Sequence, residues 1–177
     1  LGSTGSIGKY LVDIISKDKK NFEVILLTAN KNSNILLKQV KNLRAKNIIV
    51  TDKREYLLIK NKIKKVNIFN NFEQLDKIFK CKVDYIMCAI SGLNGLKPTF
   101  RSIKHTKKIA IANKESIICA WNLLSKELKK NKTKFIPVDS EHFSIWSVLK
   151  NTQNKNIDQI FITASGGPFY KLPLSKF

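Results

Sequence analysis

The sequence predicts an α/β protein built on a doubly wound, mostly parallel sheet. Short apolar runs alternate with stretches of helical spacing along the chain, as expected for strands joined by crossover helices. A glycine-rich turn opens the first helical stretch, and polar residues directly follow several of the apolar runs. Because open α/β sheets bind their ligands at the carboxyl ends of the strands, these polar segments are the candidate site.

The first half of the chain contains three pairs of a helix and a strand. The side chains of Ile7, Leu11 and Ile14 recur at the spacing of one helical face, and the spacing returns at Leu36 and Val40. Apolar runs too short for a helix lie between these stretches. The patterns predict helices over 7–17, 35–46 and 53–62, and strands over 22–28, 48–50 and 66–69.

The second half continues the same alternation without an internal repeat or a low-complexity linker. Its apolar runs are again short and are separated by amphipathic stretches, so the parallel sheet is expected to continue. The predicted helices cover 72–79, 99–104, 114–130 and 141–150, and the predicted strands cover 83–89, 108–112, 135–138 and 157–163.

Composition limits the class of protein more than its function. The 177 residues suit one domain, or one domain and part of another, and the chain opens on Leu1 without an initiator methionine, so we interpret it as truncated. No apolar run is long enough to span a membrane. The three cysteines form no C-x-x-C pair, and we expect buried or half-buried free thiols in a reducing compartment.

The net charge of +20 raises the question of nucleic-acid binding. Only three of the 33 basic residues are arginines, although arginine is the side chain that most often reads base edges. The lysines are spread along the whole chain instead of clustering with aromatic residues. We therefore expect a solvated surface and no nucleic-acid partner, with a basic binding module as the alternative.

The glycines are few and clustered, which marks the places where the backbone must turn sharply or approach a ligand. All seven fall at residues 2–8, 92–95 and 166–167. The first cluster, GSTGSIG at residues 2–8, lies where a first strand would meet its helix. In a Rossmann-like fold this turn holds a dinucleotide pyrophosphate at the helix N-terminus, whereas an ordinary tight turn is the alternative.

The segment after the second strand indicates which dinucleotide is bound. A site for NAD usually has a carboxylate there, which accepts a hydrogen bond from the ribose 2′-hydroxyl. This chain has Thr28-Ala29-Asn30-Lys31-Asn32 instead, with a lysine and no acid. The lysine favours the 2′-phosphate of NADP, although a solvated lysine in a loop would leave the same pattern.

Three further segments follow predicted strands. ANKES, at residues 112–116, opens a helix with polar groups, and Asn113 is also a good N-cap for an ordinary helix start. PVDSEH, at residues 137–142, offers Asp139, Ser140 and Glu141 as hard ligands for Mg²⁺ or Mn²⁺, although a helix cap would look the same and a third acid must come from elsewhere. SGGPF, at residues 165–169, suits a phosphate or polyol, or merely a loop with positive φ.

In this order and at these spacings, GSTGSIG, ANKES, PVDSEH and SGGPF resemble the signatures of the 1-deoxy-D-xylulose 5-phosphate reductoisomerase family. The resemblance implies an NADPH-binding domain over 1–138, with a truncated first strand, and the start of an α+β catalytic domain over 139–177. It also implies an oxidoreductase that rearranges and reduces 1-deoxy-D-xylulose 5-phosphate to 2-C-methyl-D-erythritol 4-phosphate with NADPH and Mn²⁺ or Mg²⁺, in isoprenoid precursor biosynthesis.

The same resemblance assigns roles to individual residues. His142 is left out, because a histidine beside a helix cap is usually structural, and Asn30 stands where the family commonly has glycine. Cofactor contacts are implied for Thr4, Gly5, Ser6, Ile7, Asn30, Lys31, Asn32, Asn113 and Glu115; substrate contacts for Lys114, Ser140, Glu141 and Ser165; metal ligation for Asp139 and Glu141; and catalysis for Lys114 and Glu141.

Members of this family continue well beyond SGGPF, with a further metal-ligating glutamate and the phosphate-binding residues. We therefore expect residues 1–177 alone to bind NADPH weakly or moderately and to show no turnover. The resemblance further implies a sugar-phosphate substrate, a homodimer of the full-length protein, no membrane partner, and the bacterial cytoplasm or a plastid-type organelle. Another NADP-dependent dehydrogenase with a similar first domain is the alternative enzyme.

Overall fold

The computed structural model describes residues 1–63, 65–150, 152, 156–161, 173 and 175. The chain divides into two compact units, Leu1–Ile136 and Pro137–Phe177. The assignment of 1–138 to a cofactor domain and of 139–177 to a catalytic domain stays a prediction.

Among the described residues, six short strands form two groups of three. In the first group the strands are parallel, and Leu27 pairs with Ile48, which pairs with Ile68. In the second group the first two strands are parallel, and their pairing runs from Val83 with Thr106 to Cys88 with Ile111. The groups are β1 (Leu26–Ala29), β2 (Asn47–Val50) and β3 (Asn67–Phe69), then β4 (Val83–Cys88), β5 (Thr106–Ile111) and β6 (Lys134–Pro137), in those orders.

The first three residues connect the two groups. The backbone of Leu1 donates to Met87 O at 2.5 Å and accepts from Ala89 N at 3.0 Å. On the other side, Ser3 N donates to Thr28 O at 2.9 Å. Residues 1–3 therefore lie between β1 and β4, and the strand order reverses at this point, as it does in doubly wound folds that bind dinucleotides.

Helices cover both faces of this sheet. Ile48 and Val50 belong to one buried apolar cluster, whereas Ile49 between them belongs to another. Because successive residues of a strand point to opposite faces, the two clusters lie on opposite sides of the sheet, and the predicted doubly wound class is confirmed. The described α-helices of the first unit are α1 (Ser6–Lys17), α2 (Ser33–Leu43), α3 (Lys53–Ile59), α4 (Leu75–Ile78), α5 (Leu96–Ser102) and α6 (Lys114–Lys130), which is kinked at Ala120. The described part of the second unit contains α7 (Ser140–Leu149).

Many element boundaries differ from the prediction; for example, the helices predicted over 35–46 and 53–62 cover Ser33–Leu43 and Lys53–Ile59. The strand predicted over 22–28 begins only at Leu26, because its partner strand begins at Asn47, which pairs with Leu26. The helix predicted over 99–104 begins earlier, at Leu96, since Pro98 falls in its first turn, where no intrahelical N–H bond is lost. The helix predicted over 72–79 opens with a 3₁₀ turn over 72–74.

The strand predicted over 157–163 is wrong for residues 157–161, which form no regular element. Ile160 and Phe161 are exposed, so burial does not favour an extended strand there. Residues 162 and 163 lie outside the described residues.

The cysteines are free thiols, as predicted, but only Cys88 is buried, and burial raises its pKa. Cys81 and Cys119 are exposed, so the prediction of buried or half-buried thiols is wrong for them. Cys81 lies in the bend before β4 and Cys119 on an exposed face of α6, and neither belongs to the buried apolar clusters of the described residues. None of the helices that the structure describes is long and apolar enough to cross a membrane.

Candidate functional site

The glycine turn at residues 2–8 is built from two glycines that cannot be replaced and one that can. Gly2 has a φ of 73°, and a Cβ there would lie 2.7 Å from Ala89 O. A Cβ on Gly8 would overlap Gly2 O and lie 2.6 Å from the Cα of Ser3. A Cβ on Gly5 would meet nothing closer than Gly2 O at 3.5 Å. Gly2 and Gly8 are therefore required by the packing of the turn, whereas Gly5 leaves space open above it.

This space lies at the N-terminus of α1. Gly5 is the N-cap and supplies no side-chain cap, and the first turn contains no acidic residue. Gly5, Ser6 and Ile7 are exposed, whereas Thr4 is buried. The first N–H groups of a helix have no partner within the helix, and they carry the positive end of its dipole. The turn can therefore bind an anion such as a pyrophosphate.

Two residues that the sequence did not single out hold the turn in place. Thr28 Oγ1 accepts from Gly2 N at 2.7 Å, and Thr28 O accepts from Ser3 N. Gln39 of α2 bonds to Ser3 through both atoms of its amide. These contacts join residues 25 to 36 positions apart in the chain, so no local motif could have indicated them.

The segment after β1 leads to the N-terminus of α2 and lies beside the glycine turn in the sheet. Asn30, Lys31 and Asn32 are all exposed. Asn32 is the N-cap of α2, makes no side-chain cap, and is followed by a first turn without acids. An exposed cation beside an uncapped helix N-terminus suits a phosphate group. Glu55 of α3 accepts a hydrogen bond from Ser33 in the first turn of α2.

Asn113 connects the second glycine cluster to the start of α6. Its Oδ1 accepts from Ser116 N at 2.6 Å, so it is the N-cap expected of an ordinary helix start. Its Nδ2 donates to Gly92 O at 2.7 Å and to Ile90 O, both in the loop after β4. The side chain of Asn113 is therefore buried and committed to this loop, whereas Lys114 and Glu115 beside it are exposed. A cofactor contact for Asn113 stays a prediction.

The second unit contains Asp139, the N-cap of α7. Its Oδ1 accepts from His142 N at 2.9 Å and lies 2.7 Å from His142 Nδ1. Its Oδ2 is buried and has no hydrogen-bond partner among the described residues. Because an unpaired buried carboxylate oxygen is costly, this atom is suited to binding a cation. His142 therefore bonds to the helix cap, and a purely structural role for it stays a prediction.

Next to Asp139, Ser140 donates to Glu141 Oε2 at 2.9 Å, and both side chains are exposed. Within the described part of the chain, no group of three or more His, Cys, Asp or Glu side chains could hold a metal ion. Metal ligation by Asp139 and Glu141 stays a prediction. Ser165 and the rest of SGGPF lie outside the described residues.

The family profile for 1-deoxy-D-xylulose 5-phosphate reductoisomerase matches residues 1–121, and the profile for the C-terminal domain of the same family matches residues 135–177. The 1-deoxy-D-xylulose 5-phosphate reductoisomerase of Pelagibacter ubique is 61% identical over 99% of this chain and 46% of its own length. That of Thermodesulfovibrio yellowstonii is 41% identical over 96% of this chain and 45% of its own.

Solved structures show the same similarity. The reductoisomerase of Zymomonas mobilis in complex with NADPH is 34% identical, with a TM-score of 0.83 over 99% of this chain and 47% of the other. A reductoisomerase structure with fosmidomycin and magnesium is 27% identical, also with a TM-score of 0.83. The chain spans about half the length of the curated relatives that it matches.

Proposed function

This chain belongs to the 1-deoxy-D-xylulose 5-phosphate reductoisomerase family, and we propose that it supplies the NADPH-binding part of such an enzyme. The proposed reaction rearranges 1-deoxy-D-xylulose 5-phosphate and reduces it to 2-C-methyl-D-erythritol 4-phosphate, a step in making isoprenoid precursors. The observation that carries the proposal is the open N-terminus of α1 behind the glycine turn, beside the exposed Lys31 at the same edge of the sheet.

The proposed cofactor site lies at the carboxyl ends of the sheet strands in the first unit. The backbone of Thr4, Gly5, Ser6 and Ile7 would bind the pyrophosphate, and Asn30, Lys31 and Asn32 would bind the ribose 2′-phosphate. Asn113 and Glu115 at the start of α6 would contact the rest of NADPH. When bound, NADPH supplies the hydride, whereas the protein contributes the position of the dinucleotide and its electrostatic surroundings.

For the metal, Asp139 and Glu141 are the proposed ligands, and the unpaired Asp139 Oδ2 supports this assignment. A bound Mn²⁺ or Mg²⁺ supplies a Lewis acid for the ketone substrate. We propose that Lys114, Ser140, Glu141 and Ser165 bind the substrate, and that Lys114 and Glu141 also act in catalysis. The hydrogen bonds from His142 to Asp139 Oδ1 would keep that carboxylate oriented, as second-sphere donors do at metal sites.

The proposal extends to partners and location. The ligands are a sugar phosphate, a nicotinamide dinucleotide and a divalent cation, and neither nucleic acid nor a membrane is a partner. A protein of the length of the relatives is proposed to be a homodimer in the bacterial cytoplasm, with a plastid-type organelle as the alternative. The net charge of +20 is then a property of a solvated surface.

A chimaera tests the proposed function. Residues 1–177 are joined to the part of the Pelagibacter ubique relative that lies beyond the matched region, and NADPH oxidation is followed with 1-deoxy-D-xylulose 5-phosphate. We expect turnover with Mn²⁺ that falls at least about 100-fold when a chelator removes the ion. The unmodified relative is the positive control. Residues 1–177 alone are expected to show no turnover.

Two outcomes would contradict these expectations. A chimaera that folds like the relative but oxidises NADPH at the same rate without the divalent ion would overturn the proposed function. Turnover by residues 1–177 alone would overturn the expectation that this part of the enzyme is inactive by itself.

A further inference from the structure

Gln39 is a buried polar residue on a helix face that is otherwise apolar. It is 7% exposed, and its neighbours on α2, Leu36, Val40 and Leu43, are all buried in the cluster on that side of the sheet. A buried amide is costly unless its hydrogen-bonding groups are satisfied. The partners of Gln39 therefore explain why a glutamine can occupy this position.

Both ends of the Gln39 amide bond to Ser3, in the middle of the glycine turn. Gln39 Nε2 donates to Ser3 O at 2.8 Å, and Gln39 Oε1 accepts from Ser3 Oγ at 2.7 Å. Only one orientation of the amide satisfies both contacts, since the opposite orientation would place Oε1 against the carbonyl oxygen of Ser3. The pair is therefore a two-point link between α2 and the turn.

The same helix begins at the segment assigned to the ribose phosphate. Lys31 and the N-cap Asn32 precede α2, and Gln39 lies about two helical turns further along. A helix is a rigid spacer over this distance. The link therefore fixes the distance between the loop that would bind the 2′-phosphate and the turn that would bind the pyrophosphate.

We propose that Gln39 is a positioning residue for NADPH, which aligns the Gly2–Gly8 turn with the start of α2 so that both phosphate sites are formed before the cofactor binds. This inference rests on the proposed function, because it assumes that the turn binds the dinucleotide. Gln39 itself would touch no cofactor atom. Its contribution is preorganisation, which strengthens binding by removing the cost of ordering the turn.

A glutamate at this position separates positioning from simple packing. An ionised Gln39→Glu side chain would place a carboxylate oxygen against Ser3 O, and the two acceptors would repel each other. The protonated form can donate to Ser3 O and accept from Ser3 Oγ, as the amide does. Burial raises the pKa of a carboxyl group, so protonation occurs within an accessible range of pH. The affinity of this variant should recover as the pH falls.

The test measures NADP⁺ binding by calorimetry for residues 1–177, with the free energy of unfolding measured on the same proteins. The oxidised cofactor is used because it is stable in acid. We expect Gln39→Leu to bind NADP⁺ about 10-fold more weakly than the wild type, since two hydrogen bonds are lost. Gln39→Glu should be equally weak at a pH where its carboxylate is ionised and approach the wild type once a lower pH protonates it. Protonation of the cofactor phosphate affects all variants equally, so it cancels when each variant's affinity for NADP⁺ is divided by that of the wild type at the same pH.

The matched control is Asn42→Ala, on the same helix. Asn42 is also an amide, but its bonds go to Ser16 and Lys19 on the surface, so the affinity should stay at the wild-type value. Wild-type affinity in Gln39→Leu would overturn the inference, as would a Gln39→Glu variant that stays weak at every pH. If Gln39→Leu does not fold, the pH dependence of NADP⁺ binding by Gln39→Glu tests the inference by itself. Absence of binding by the wild type overturns the proposed function and this inference together.

Discussion

Replacing Gly8 by alanine is expected to destabilise the first unit and to weaken NADPH binding at least about 100-fold, because the glycine turn must open to accept the methyl group. In an ordinary helix this substitution would stabilise the protein by about 1 kcal/mol. Here the new Cβ would overlap Gly2 O and lie 2.6 Å from the Cα of Ser3, both rigid backbone atoms. We expect a net loss of about 2 kcal/mol in the free energy of unfolding.

Gly5→Ala is the matched control for this prediction. Gly5 has a φ of −75°, and its Cβ would make only ordinary contacts, at 3.5 Å from Gly2 O. Urea unfolding should therefore give the wild-type stability for Gly5→Ala and a lower one for Gly8→Ala. Equal stability and equal NADPH affinity in the wild type and Gly8→Ala would show that the turn is not packed as described.

Asp139→Asn is expected to reduce the Mn²⁺-dependent turnover of the chimaera by at least about 1,000-fold, because an amide replaces a charged metal ligand. The fold should survive, since an asparagine caps a helix about as well as an aspartate and can still accept from His142 N. The loss should therefore appear in kcat and in the Mn²⁺ concentration required for activation, without a large change in stability.

Ser144→Ala is the control for Asp139→Asn within the same helix. Ser144 donates to Ser140 O on the exposed side of α7 and has no proposed contact with the metal or the substrate. Its removal should leave turnover within about 2-fold of the parent chimaera, as expected for a surface substitution. Full turnover of Asp139→Asn at saturating Mn²⁺ would exclude Asp139 as a ligand.

Local patterns predicted most of the fold of the first unit. The helical segment Lys114–Lys130 has the predicted limits, because Asn113 is a strong N-cap, but the pattern did not indicate the kink at Ala120, whose φ is −139°. The predicted end of an element was wrong where that end depends on a neighbouring strand. An example is β1, which can begin only where β2 offers a partner. A strand boundary of this kind is a property of the sheet, and a single segment does not contain it.

In the candidate site, too, local sequence indicated some features, whereas others depend on contacts made only in the folded chain. The glycine clusters marked the turn at Gly2–Gly8 correctly, since a glycine requirement is visible in the sequence of a chain with so few of them. Gln39 and Thr28, which hold that turn, could not have been found, because each contacts it only through the folded sheet. For Asn113, the sequence indicated the helix cap but not the two bonds to the loop after β4.

The most direct test is a calorimetric titration of residues 1–177 with NADPH and with NADH. We expect a single site that prefers NADPH by at least about 10-fold, because Lys31 adds a charge-assisted contact to the 2′-phosphate. The preference should disappear in Lys31→Gln, while the weaker binding common to both cofactors remains. Equal affinity of the wild type for NADPH and NADH, or no binding of either, would contradict a phosphate-binding site formed by the glycine turn and the start of α2.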